Sequence, residues 1–493
     1  MAYIVKWVEN PESERGLILL GKAGTGKSSI AHEIARRFKN KCLGSYFTFL
    51  RKEGSKDEAY QLFTTLARDL SDRYPPFKLA LGKVVRDNSF LCGTRDHRTL
   101  FEHLLLEPLK SLKVCDPILI VVDALDESGD ATGRNGLHTF LAQHLLDLPS
   151  KFRILVTTRP EDGIESAFTK ALSVDTIYMD DPKLAARTVQ DIAVYLEEVL
   201  EPDMFKDHGM ELATAAEGLF QWAAVASGFI NSPASLGISK KECVRRLLGH
   251  SRGRNGQGLL DNLYREVLKQ YFETREAQIL FRSVMGQVFA AIEPLSIRSL
   301  LALRQHTPIV DPEYSDPILV VEILRHLGSL LSNVTSADET RPIIPLHTSF
   351  RDFLTNKKSD VFYVDLEDAH HQLAHSCLGV MLDNLKFNIC KLDSSYLPNS
   401  DVPDFKIRIA EHISPALSYA CVFWDDHLEQ VGFEHDIFMK LRSLFETKFL
   451  FWLEVLSIKS SVGLASPALS SLKNWLRSGQ QKVGTSQNEY DTC

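Results

Sequence analysis

No two of the eight cysteines (Cys42, Cys92, Cys115, Cys243, Cys377, Cys390, Cys421 and Cys493) form a C-x-x-C pair, and their wide spacing argues against a disulfide framework or a structural zinc site. Reduced thiols in a cytoplasmic protein are the simpler expectation. Long apolar runs are also missing: the longest candidate, LFQWAAVASGFI (219–230), is amphipathic and falls short of the roughly 18 residues of a spanning helix. The start, MAYIVKWVENPESERG, turns polar too soon for the apolar core of a signal peptide. Basic charge is not in excess. A net charge of −8 sets up no global field toward nucleic acid or an anionic membrane, so neither a nucleic-acid partner nor a membrane span is expected. No repeat at a period of about 20–50 residues supports a solenoid or propeller. What remains, 44% hydrophobic and 24% charged over 493 residues, is ordinary globular composition with room for roughly three units.

Short apolar runs alternate with helical patterns from residue 16 to about 180: GLILL (16–20), GSYFTF (44–49), PILIVVD (117–123), FRILVTT (152–158) and a weaker DTIYM (175–179). Between them, Ala59, Leu62, Phe63, Leu66 and Leu70, then Leu137, Leu141 and Leu145, recur at helical spacing. Near-continuous apolar strands separated by helices predict an α/β domain with a parallel sheet covered on both faces. Beyond 180 the strand signals fade. Helical segments fill 181–255, and 256–360 combines helices with a short strand at TRPIIPLH (340–347), an arrangement resembling a winged helix. A helical domain follows over 361–478, and 479–493 reads as a disordered tail. Residues 1–15 are a lead-in to the first strand.

The stretch Gly21-Lys22-Ala23-Gly24-Thr25-Gly26-Lys27-Ser28 fits G-x-x-x-x-G-K-[ST] between a predicted strand and a helix with Ile30, Ile34 and Phe38 on one side. Glycines let backbone N–H groups turn around phosphate oxygens, and the helix N-terminus adds partial positive charge. Lys27 is placed to reach the β- and γ-phosphates and Ser28 to bind Mg²⁺; Gly21, Gly24, Thr25, Gly26 and Ser29 complete the nucleotide-binding set. ILIVVDALDES ends a buried strand at Asp123, the candidate second Mg²⁺ ligand, with Asp126 and Glu127 just beyond to orient or deprotonate water. RILVTTRP brings Thr157, Thr158 and Arg159 to the same edge, where a guanidinium could sense the γ-phosphate. His371 and His375 stand at i, i+4, but no third ligand follows at a diagnostic spacing, so the sequence alone assigns no metal there. Trp222, Phe220, Ala223 and Phe229 read as core rather than as a base-stacking platform.

These motifs, with GLFQWAAVA (218–226), LLDNLYREVL (259–268), EPLSIRSL (293–300), IPLHTSFRDFL (344–354), KFNICKLDSSYLPNSD (386–401) and LSYACVFWDDHL (417–428), resemble in order the NACHT class of STAND-type P-loop NTPases, especially its basidiomycete fungal group. The resemblance implies ATP or ADP with Mg²⁺ as ligand, slow ATP hydrolysis, and self-association or assembly with related NACHT proteins. It also implies that His347, in LHTSF, contacts the β-phosphate of ADP, and that Tyr3 and Trp7 lie where relatives contact adenine. Relatives usually add an N-terminal effector and a C-terminal WD40 array that this sequence does not show, which leaves open a fragment, a truncated paralogue or a regulator of complete relatives. The expected function is a nucleotide-dependent switch; the alternatives are a small-molecule kinase, which would need an acceptor lid near the loop, and a non-hydrolysing scaffold.

Overall fold

A computed structural model describes residues 1–49, 58–92, 94, 96–112, 116–128, 136–144, 147–160, 164, 167–168, 174–231, 239–251, 257–308, 316–334, 338–394 and 396–490. The chain forms two compact units, one of Met1–Ser227 with Leu248–Leu259, the other of Gly228–Leu247 with Leu260–Cys493.

The first unit is built on five parallel strands: β1 (Gly16–Leu20), β2 (Leu43–Thr48), β3 (Ile118–Asp123), β4 (Phe152–Thr158) and β5 (Val174–Tyr178). Their order is β2-β3-β4-β1-β5. Every residue of β1, β3 and β4 is buried, as expected where helices cover both faces. The two-residue period of a strand sorts the side chains between two cores. Ile18, Leu20, Ile120, Val122, Ile154 and Val156 enter one, together with Leu62, Phe63, Leu66 and Leu70 of α3 (Glu58–Arg73). Leu17, Leu19, Leu119, Val121 and Leu155 enter the other, with α1 (Ala2–Glu9) and with Ala31, Ile34 and Phe38 of α2 (Lys27–Phe38). Each fully buried side chain of this size contributes roughly 1.5–3 kcal/mol.

The lead-in is therefore part of the core. Trp7 is buried in it and donates from Nε1 to the Glu14 carbonyl at 2.8 Å, so its ring packs against the sheet and is not exposed to a base. Tyr3 is exposed and donates to Asp175 at 3.1 Å. Of the predicted helical positions, Leu145 and the Ala59 side chain lie outside the described residues. Helices at Pro182–Val199 and Pro202–Ala215 follow, then α4 (Phe220–Asn231).

Among its described residues the second unit is built of helices and of β6 (Leu331–Ser332) and β7 (Ile344–Pro345), an antiparallel pair. The strand expected over 340–347 is thus only two residues long. Pro342 and Pro345 lack the N–H that a longer ladder needs. Helices at Arg275–Ala290, Ile297–Arg304 and Pro317–His326 precede this hairpin, and α5 (Thr348–Leu354) follows it. The centre of the unit is α6 (Leu366–Asn384), buried on most sides and packed against α7 (Pro415–Glu429) and α8 (His435–Thr447). The last helix, α9, spans Ala465–Tyr490, so most of the tail expected to lack structure continues a helix. Trp475 anchors its start by packing on Phe433 and donating to the Val431 carbonyl at 2.8 Å. Among the described residues no helix is long and apolar enough to cross a membrane.

Candidate nucleotide site

Strand order puts β1, β4 and β3 side by side, so the loops leaving their carboxyl ends meet at one edge. The first is the glycine loop. Gly24 and Gly26 have φ of 84° and 90°, the left-handed region that a side chain disfavours. Gly21 is required for space, since a Cβ there would sit 2.7 Å from Met179 Cβ. The hydroxyl of Thr25, buried in the loop, donates to the Lys22 carbonyl at 2.9 Å. Helix α2 then starts at Lys27, with Ser28 and Ser29 exposed on its first turn.

The Lys27 ammonium is buried and donates to the carbonyls of Gly21 (2.7 Å) and Lys22 (3.0 Å). Burial lowers it to about 8, and Arg159 adds repulsion, while Asp126, Asp123 and Glu127 act in the opposite direction. One field therefore joins all the predicted charged residues of the edge. Burial raises the Asp123 carboxyl above its ordinary range, and hydrogen bonds from Thr157 and Ser28, with the Lys27 charge, partly offset this.

Two hydroxyls position Asp123. Thr157 Oγ1 donates to Asp123 Oδ1 and accepts from Ala124 N at 3.0 Å, tying β4 to the end of β3. Ala124 holds a left-handed φ of 57°, a non-glycine strain of the kind found at functional edges. The Ser28 hydroxyl lies near the same carboxylate and helps hold its pKa down. A hydroxyl and a carboxylate close together at the end of a phosphate-type loop are hard oxygen donors that fit Mg²⁺.

Asp126 is held by Arg159 twice. The guanidinium Nε lies 3.0 Å from Oδ2, and the backbone N–H donates to Oδ1 at 3.0 Å. Both groups are largely shielded, so this pair is stronger than an exposed one. Glu127 is buried beside it on a short 3-10 turn.

Two neighbours were not singled out from the sequence. Tyr46 lies close to Asp123 and Thr48, and burial raises its phenol. The alternation of SYFT in β2 carried the hint, because residues 46 and 48 share a face and Thr48 pairs in register with Asp123. The start of α4 is the other: Gln221 N donates to the Gly24 carbonyl at 3.1 Å, while Phe220, expected in the core, is only partly buried, its ring 3.6 Å from where a Cβ on Gly26 would sit. Trp222 and Ala223 are core, as expected.

His347 belongs to the second unit. It is the N-cap residue of α5, its Nδ1 accepting from Ser349 N at 3.1 Å and lying 2.6 Å from Ser349 Oγ, which in turn contacts the Tyr264 hydroxyl at 2.8 Å. The imidazole itself therefore caps the helix.

Strand order, glycine loop and buried carboxylate together define a P-loop NTPase-like fold with a parallel five-stranded α/β core followed by helical domains. Residues 2–159 match the family described as nephrocystin 3, N-terminal. Solved structures with similarity include the Aeropyrum pernix ORC1 protein in complex with DNA, at 15% identity and TM-score 0.32 over 72% of this chain and 90% of that one. Drosophila ORC bound to DNA is similar at 15% identity and TM-score 0.29, over 74% and 95%. No curated protein matches.

Proposed function

We propose that the chain is a nucleotide-dependent switch of the NACHT/STAND type, binding ATP or ADP with Mg²⁺ and hydrolysing ATP slowly to control opening and self-association. The observation that carries the reading is the Asp126–Arg159 pair beside Lys27. A guanidinium already committed to a carboxylate at the phosphate edge must redistribute its hydrogen bonds when a γ-phosphate is added, which makes the edge sensitive to phosphate count. Mg²⁺ would be held by Ser28 and Asp123, where it neutralises phosphate charge. The glycine-loop amides and Lys27 bind the phosphates; Thr157 and Tyr46 orient Asp123. Both Asp126 oxygens are engaged by Arg159, which makes Asp126 the element that reports nucleotide state, while Asp126 and Glu127 together orient or deprotonate an attacking water.

The match to the nephrocystin 3 N-terminal family over residues 2–159 supports the nucleotide-binding part of this reading, and the ordered motifs through LHTSF support the NACHT part. Three helices, a short hairpin and α5 are compatible with a winged-helix element carrying His347. Mass spectrometry of the nucleotide released on denaturing freshly purified protein tests the proposal. Retained ADP, lost in Lys27→Ala, is expected; equal content in both proteins discards it. His347→Asn separates two roles, because asparagine still caps a helix but offers no imidazole. Faster ADP release at unchanged stability supports the phosphate contact, and an unchanged off-rate removes His347 from the switch.

A further inference from the structure

We propose that His371, His375 and Glu434 form a binding site for a divalent transition-metal ion of the zinc class, clasping α6 to the start of α8. The two imidazoles project from one face of α6, one turn apart. Glu434, the N-cap residue of α8, supplies the third ligand that the local sequence did not contain. One donor atom from each residue lies within 4.8 Å of the other two.

The pairwise geometry is close to that of a coordination sphere. His375 Nε2 and Glu434 Oε2 are 3.6 Å apart, near the roughly 3.4 Å between ligands of a tetrahedral zinc with bonds of about 2.1 Å. His371 Nε2 contacts the same oxygen directly and would have to open slightly to admit an ion. The two rings stand 4.8 Å apart at 56°, not stacked, so their edges can converge.

His375 argues most strongly for a ligand. Its side chain is only 5% exposed, and among the described residues its Nε2 has no hydrogen-bond partner. A buried polar nitrogen left this way is costly, and a bound cation removes the cost. Its burial, with the charges of Lys440 and His371, lowers its pKa, which favours the neutral imidazole that a metal requires. Among the described residues Lys440 is a nearby group that opposes a cation. It donates to the His375 backbone carbonyl at 3.3 Å, with Asp436, Glu434 and Asp383 balancing its charge.

Two nitrogens and one carboxylate favour zinc-class ions over Mg²⁺ or Ca²⁺. His371 and Glu434 are 30% and 37% exposed, so an ion can enter from solvent and one coordination position stays open to water. The site lies within the second unit and does not depend on the nucleotide reading.

The test is titration of untagged, metal-stripped full-length protein with Co²⁺, followed by visible absorption, with Zn²⁺ as competitor. Each protein is also prepared with Lys27→Ala, so that the nucleotide site contributes nothing. A single equivalent with intense four- or five-coordinate absorption, displaced by Zn²⁺, is expected. Glu434→Gln and His371→Asn, both at partly exposed positions, should each weaken binding by more than about tenfold with an unchanged circular dichroism spectrum. His412→Asn should leave it unaltered. Absence of a stoichiometric Co²⁺ band, or wild-type affinity in Glu434→Gln and His371→Asn, overturns the site.

Discussion

The strand edge of the first unit and the seam between α6 and α8 in the second both gather ionisable side chains, but they are organised differently. At the strand edge the charges alternate in sign, Lys27 with Asp123 and Asp126 with Arg159, and two hydroxyls and several backbone groups hold them. At the seam, two imidazoles face one carboxylate oxygen, and a buried nitrogen lacks a partner among the described residues. The first arrangement is balanced within the protein and suits a ligand that adds negative charge. The second suits one that adds positive charge. A buried cation elsewhere sharpens the contrast: burial lowers Arg304 to about 10, and its Nη1 donates to the neutral oxygens of Ser283 (3.1 Å) and Gln287 (2.8 Å).

The largest effect expected from breaking this contrast is at Lys27. Lys27→Ala should weaken nucleotide binding by at least about a hundredfold, measured by calorimetry, because a charged group facing phosphate is lost from a shielded site. The same lysine should make the nucleotide-free fold pH-sensitive. Its native value of about 8 lies below its unfolded value of 10.5, so the native state releases its proton first and stability rises with pH above 8. Comparison with Lys27→Met isolates a difference on the order of 3 kcal/mol across that interval in denaturant titrations. The variant is needed because Cys377 and Cys421, held above the usual thiol range by burial, act in the opposite direction at alkaline pH.

Smaller effects are expected at the seam and at the positioning hydroxyl. Zinc at about a hundred times its dissociation constant should stabilise the wild type by about 2.7 kcal/mol in thermal melts and leave Glu434→Gln nearly unmoved. Thr157→Val should cost about tenfold in Mg²⁺-dependent nucleotide affinity. It should also raise the Asp123 pKa further, moving the acid limb of binding toward neutral pH. An unmoved acid limb would show that Thr157 does not orient Asp123. The smallest effect is at α5: a His347→Leu change should cost about 1 kcal/mol of stability through loss of the cap.

How much of this was readable beforehand depends on sequence distance. Gly21 to Ser29 form one contiguous loop, and Asp123 and Arg159 each close an apolar run, so local pattern was enough to place them at one edge. The Asp126–Arg159 pair could not be read, because 33 residues separate the partners and the pairing depends on β3 and β4 being neighbours. Tyr46 was passed over for the same reason. Its relation to Asp123 exists only in the register between β2 and β3. Trp7 packs on the sheet, and an aromatic near the chain start carries no periodicity that shows this. His371 and His375 were noted, but their third ligand comes 59 residues after the nearer histidine, His375, on another helix.

The amino-acid sequence by itself determined the elements and the chemistry of the loop. Strands buried on both faces are continuous apolar runs, and glycines at left-handed positions allow few other residues, so both leave marks in neighbouring letters. Tertiary structure alone decided which charge faces which: Arg159 on Asp126, Tyr46 beside Asp123, and Glu434 between two histidines. Electrostatic and coordinate bonds act over a few ångströms regardless of chain separation, so their partners are set by strand order and helix packing.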